Sequence, residues 1–180
     1  PTLSILNEVN VGQLLDTIDH VKKDPNLAQF RFQAHNEWLG GGRSQTTIQR
    51  FEHAGQENTS RQQPFVMEGD EPPVLLGENS APNAVEAVLH ALASCLAVGF
   101  VYNAAAKGID VQELTMDLQG DLDLHGFLGL SDEAPAEVRP GYENITVQYQ
   151  VQADASREEL EALCTYVQDT SPVLDLSLIH

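Results

Sequence analysis

The chain carries two soft nucleophiles, Cys95 and Cys164, far apart in sequence, each inside a run of apolar residues. A thiolate can attack a peroxide to give a sulfenic acid, and a second thiol can close that sulfenic acid into a disulfide. An ordinary free Cys is only a few per cent thiolate at neutral pH, so such chemistry needs a cation nearby. The neighbours Leu92, Ala93, Leu96 and Val98 offer an anion nothing. Lys107 is the one Lys on the same run, and it lies at its far end. Arg43 is the strongest donor by context. It follows Gly40-Gly41-Gly42, and a glycine turn can approach another backbone closely. A guanidinium also stays charged when partly buried. Arg31, Arg50 and Arg61 are weaker candidates. The alternatives stay open: both Cys also read as small core hydrophobes, and Arg43 as a solvent-facing residue at a turn.

Other chemistries find less support. His35, His53, His125 and His180 have no ligand spacing, so no metal is expected. His90 reads as a core or interface His. No G-x-S-x-G is present. The triple glycine lacks the strand–helix context and following Lys of a nucleotide loop, so no bound cofactor is expected.

The elements that must position these residues follow from periodicity. Val11, Leu14, Leu15, Ile18 and Val21 fall at helical spacing within residues 8–23. Residues 28–39 alternate and predict a strand, turned at Gly40–Gly42, with residues 44–52 as its hairpin partner. Residues 54–81 read as a long connection with a short strand at 64–67. Residues 82–107 form the strongest helix, with Asn83 and Glu86 as a capping pair and Gly108 as the stop. This run is apolar on nearly every face, which predicts burial within the molecule or between subunits. Residues 112–124 and 144–153 alternate as strands, with a loop at 125–143. Ser156 opens a second helix to about Gln168, with Glu159 at the box position. Thr170-Ser171-Pro172-Val173 breaks it, and a short final strand is expected. Helices and strands do not alternate strictly, so the class is α+β.

Composition narrows the partners. Nine Lys and Arg stand against 27 Asp and Glu, a net charge of −18. A field of that sign repels phosphate backbones and anionic lipid, so neither nucleic acid nor a membrane is expected as a partner. No stretch of about 20 apolar residues is read. Residues 1–24 lack a basic start and an apolar run, which reads as no secretory signal. Two Cys suit a cytoplasmic setting better than a disulfide scaffold.

Three separated segments, in order, resemble one family. APNAVEAVLHALASCLAVGF (81–100) resembles the Cys helix of the OsmC/Ohr proteins, those induced by osmotic stress or conferring resistance to organic hydroperoxides. CTYVQDTSPV (164–173) resembles their second-Cys segment, and GGGRS (40–44) their Gly-Gly-Arg turn. The match runs over about residues 28–179. The resemblance implies an OsmC-like α+β fold, with antiparallel sheets wrapped around long central helices in an intertwined homodimer. It implies one such domain at 28–180, with 1–27 as a helical extension. Carried over, Cys95 is the peroxidatic thiol, Cys164 the resolving thiol, and Arg43 the cation that favours the thiolate and orients the peroxide. The substrate would be an organic hydroperoxide, and the reductant an external dithiol or lipoyl-type thiol. The sequence departs from the family at Val85, where the peroxidases place the Glu that pairs with the Arg. Glu86 lies half a turn off the Cys95 face, which leaves the loop carboxylates Glu68 and Glu78 as candidates. That departure motivates the alternative of an OsmC-like protein that binds a hydrophobic ligand and has non-catalytic thiols.

Overall fold

A computed structural model describes residues 5–133 and 138–176. The class is α+β, with antiparallel sheets and one long helix. The chain divides into two compact units, Pro1–Ile5 with Val9–Val88, and Leu6–Glu8 with Leu89–His180.

Two short strands come first, β1 (Ile5–Leu6) and β2 (Val9–Asn10). In the first unit, helix α1 (Val11–Lys23) is capped by Asn10, whose side chain accepts from the Gln13 N–H. The strand expected at 28–39 is two strands, β3 (Phe30–Phe32) and β4 (His35–Gly40), interrupted at Gln33-Ala34. Its partner is likewise divided into β5 (Arg43–Ile48) and β6 (Phe51–His53). The connection from 54 onward holds β7 (Gln56–Asn58) as well as the expected short strand, β8 (Phe65–Gly69). Two three-stranded antiparallel sheets result, β3-β6-β7 and β4-β5-β8. The split moves the Phe30, Phe32 and Phe51 rings into one sheet and leaves Arg43 to start a strand of the other. The alternation of residues 30–35 runs through Gln33-Ala34 and carries no signal for such a change of partner.

Helix α2 (Ala84–Ala106) starts at a reciprocal capping pair: the Glu86 N–H donates to the Asn83 side chain, and the Asn83 N–H donates to Glu86. Beyond residue 88 the helix belongs to the second unit. There Leu92, Leu96, Phe100 and Ala104 recur every four residues and are buried. By length and composition α2 could cross a membrane, contrary to the expectation that no such stretch exists. Its buried stripe is instead the core of the unit. Its other faces are not all covered: Val98 and Tyr102 are about half exposed, and His90 is exposed.

Strands β9 (Val111–Asp121) and β10 (Asn144–Ala153) pair antiparallel and pack on that stripe. β10 alternates as predicted, with Ile145, Val147, Tyr149 and Val151 facing the core. Asn7 ties down the start of β9, donating to the Ile109 carbonyl and accepting from the Val111 N–H. The loop between the strands contains a short helix, α3 (Leu124–Phe127), and residues 134–137 lie outside the described residues. Helix α4 (Arg157–Asp169) begins at the Ser156–Glu159 capping box and buries Leu163 and Val167 against α2. The expected final strand is absent through residue 176. Ser171 instead caps a helical turn, α5 (Pro172–Leu176), by accepting from the Leu174 N–H. Proline suits the first helical position, where its missing N–H costs nothing. Residues 177–180 lie outside the described residues.

Candidate functional site

Arg43 is placed by the glycine turn and met by a carboxylate. Gly40 and Gly41 have φ of 112° and 59°, a region other residues avoid, and this lets Arg43 pair with Gly40 at the end of the β4-β5 ladder. The guanidinium Nη1 lies 3.4 Å from Glu78 Oε2. Glu78 is one of the two loop carboxylates left open by the sequence. The other, Glu68, sits in the β5-β8 ladder opposite Gln45.

Buried Asp70 shapes the loop that presents Glu78. It is 2% exposed. One of its oxygens accepts from the Glu71 N–H at 2.8 Å. The other accepts from the Glu78 N–H at 3.2 Å, the Ser80 N–H at 2.9 Å and the Ser80 hydroxyl at 2.8 Å. These bonds, those from Ser80 foremost, hold the Asp70 carboxyl below its ordinary value, against the opposing effect of burial. The cluster reaches the start of α2, where the Asn83 amide donates to Glu71 at 3.4 Å. An Asp in a Gly- and Pro-rich stretch is the only sequence signal for this latch.

In the second unit, Cys95 Sγ lies 3.3 Å from Ser171 Oγ. Cys95 is partly exposed and Ser171 is 5% exposed. The Ser171 oxygen already accepts the Leu174 N–H at 3.2 Å, so the hydroxyl proton is free to point at the sulfur. A thiolate can only accept a hydrogen bond, and a hydroxyl can donate one. Ser171 was read in the sequence only as part of a helix break.

Cys164 occupies a different place. It packs among the partly buried residues around the core. Burial, and then the charge of Glu161, push its thiol above the ordinary value. Tyr149 lies nearby and is also pushed up, by burial and then by the charge a Cys164 thiolate would carry. Both effects keep Cys164 a neutral thiol at pH 7. Cys95 and Cys164 are both free.

The remaining Arg candidates have other partners. Arg31 pairs with Glu52 at 3.2 Å, and Arg50 approaches Glu57 at 3.9 Å. Arg61 stacks on the Phe51 and Phe65 rings.

Comparison with known proteins agrees with this architecture. A family model described as OsmC-like protein matches residues 77–177. No curated protein matches the chain. Among solved structures, an OsmC-like protein from Mycoplasma pneumoniae superposes with a TM-score of 0.59 at 16% identity, over 82% of this chain and 87% of that one. An OsmC-like protein from Vibrio cholerae gives 0.58 at 13% identity, over 81% and 92%. An organic hydroperoxide resistance protein, OsmC, from Legionella pneumophila gives 0.54 at 16% identity, over 81% and 88%. At these identities the likeness is one of fold.

Proposed function

Because the chain belongs to the OsmC-like family, we propose that it is a thiol peroxidase for organic hydroperoxides, with Cys95 as the attacking thiol. The observation that carries the reading is the Cys95–Ser171 contact, in which a buried hydroxyl lies 3.3 Å from the sulfur of a partly exposed Cys. Cys95 attacks the terminal peroxide oxygen, the S–O bond forms as the O–O bond breaks, and the alcohol leaves. Arg43 is the cation that the family resemblance assigns to this chemistry, and its partner Glu78 is the acid available to it. Val85 leaves the helix position of the family Glu without an acid. An external dithiol returns the electrons. The resistance protein from Legionella pneumophila, of like fold, bears a name consistent with this substrate.

The same reading takes the working form as a cytoplasmic homodimer. Phe32, Trp38 and Phe65 are 68%, 75% and 59% exposed in the single chain. A monomer gains nothing from leaving rings of that size in water.

One observation favours a second reading, that of a binder of hydrophobic ligands. An open, mostly apolar hollow of about 320 Å³ lies between α1 and the β3-β6 pair, lined by Val21, Leu27, Phe30 and His53 among others. Its size is at the lower end for a small-molecule site.

The test is consumption of tert-butyl hydroperoxide in the presence of dithiothreitol. Turnover that disappears in Cys95→Ser supports the peroxidase. Equal consumption by wild type and Cys95→Ser removes Cys95 from the chemistry and leaves the binding reading.

A further inference from the structure

The family resemblance gives the second step to Cys164, but the pairing of α2 with α4 does not bring Cys164 to Cys95. Two contacts set the register of α2 against α4 and the turn that follows it. Cys95 meets Ser171. Gly99 meets Val167, whose Cγ1 would lie 2.9 Å from a Cβ at position 99. Going up α2 therefore means going down α4, step for step. Cys164 faces the level of Tyr102, about two helical turns from Cys95, which is about 10 Å along the axis. A disulfide needs Cα atoms about 4.4–6.8 Å apart, so these two residues cannot bridge without a backbone rearrangement. The group that does stand against Cys95 is Ser171, which cannot form a disulfide.

We propose that the oxidised Cys95 is never closed by Cys164 and is instead reduced directly by an external dithiol while Ser171 holds its sulfur. This rests on the peroxidase reading above. In the first step the Cys95 thiolate takes the terminal oxygen of ROOH, ROH leaves with a proton, and the sulfur is oxidised by two electrons to the sulfenic acid. In the second step one sulfur of the dithiol attacks Cys95, an S–S bond forms, the S–O bond breaks, and the oxygen departs as water. The second sulfur of the dithiol then attacks the first, closes the reductant's own disulfide and releases Cys95 as thiolate. The sum is ROOH and dithiol in, ROH, water and disulfide out. Ser171 acts as a positioning residue: it donates to the thiolate before the first step and steadies the sulfur through the second. The partial exposure of Cys95 gives the outside thiol its access. Cys164 is partly buried as Cys95 is, but desolvation and the charge of Glu161 disfavour its thiolate, which makes it a poor competitor.

The test treats reduced full-length protein with one equivalent of tert-butyl hydroperoxide and excess dimedone, followed by intact mass and a non-reducing peptide map. The expected result is one dimedone on Cys95, a reduced Cys164, and dithiothreitol-driven turnover in Cys164→Ser within about twofold of wild type. A second variant checks the geometry without peroxide. With Cys164→Ser as background, Ser171→Cys treated with diamide should bridge to Cys95, whereas wild type treated in the same way should show no bridge to Cys164. A Cys95–Cys164 disulfide in wild type overturns this inference and leaves the peroxidase reading standing. A Ser171→Cys variant that is folded but does not bridge also overturns the inference, because the contact it relies on is then wrong. Cys95 inert to both peroxide and dimedone overturns the peroxidase reading, and this inference falls with it.

Discussion

Helices α2 and α4 pack tightly at Gly99, and replacing it makes a quantitative test of the packing that holds Ser171 against Cys95. A Cβ at position 99 would lie 2.9 Å from Val167 Cγ1, closer than carbon atoms tolerate. Val167 is 2% exposed, and its branched side chain cannot turn away freely. Gly99→Ala gains about 1 kcal/mol of helix propensity and loses about 1–3 kcal/mol to overpacking. The expected balance is a loss of about 1 kcal/mol, which lowers the melting temperature by about 2–4 °C for a chain of this size. Val167→Ala alone removes two buried methyl groups and leaves a cavity, at a cost of about 2–3 kcal/mol. In the double variant the new methyl enters the space the valine leaves, so the clash disappears and the propensity gain remains. The cycle should therefore show a favourable coupling of about 2 kcal/mol. Urea unfolding with an unchanged slope measures it. If Gly99→Ala raises the midpoint and the two effects add to within about 0.5 kcal/mol, the helices are not packed this closely and the register argument fails.

Arg43→Ala should lower peroxide turnover about 100-fold while shifting stability by no more than about 1 kcal/mol, since its pair with Glu78 is largely exposed; steady-state kinetics and a urea curve on one preparation separate the two. Asp70 is held below its ordinary value when folded, so its contribution is complete above about pH 5 and is lost as the pH falls through the lowered value, below 4. Asp70→Asn should accordingly be less stable than wild type at pH 7, and the gap should narrow by pH 3 in urea midpoints taken at both. Leu163→Ala, at a fully buried position facing α2, should cost about 2–5 kcal/mol by the same assay. Trp38→Asp should shift the sedimentation of any dimer toward monomer, and an unchanged profile would place the interface elsewhere.

The sequence was most legible where local rules agree with the tertiary structure. The alternation of β10, the Ser156–Glu159 box and the Asn83–Glu86 pair each belong to one element, and all stand as read. So did the α+β class, because a long apolar helix among alternating strands has few other ways to bury its stripe. The breaks were not legible. Residues 30–35 alternate straight through the break, yet Gln33-Ala34 separates strands of two different sheets, since strand pairing is a choice made by distant partners. A short strand is expected after the break at Thr170–Val173, yet a cap from Ser171 turns Pro172–Leu176 into a helix. The candidate residues divide in the same way. Their reactive types, a thiol and a guanidinium, can be named from composition and from the glycines before Arg43. Their partners cannot. Asp70 folds a loop on itself to bring Glu78 to Arg43, and the antiparallel register of α2 and α4 brings Ser171 rather than Cys164 to Cys95. Spacing along the chain measures distance only within one element, and both of these pairings join groups whose separation is set by how elements pack.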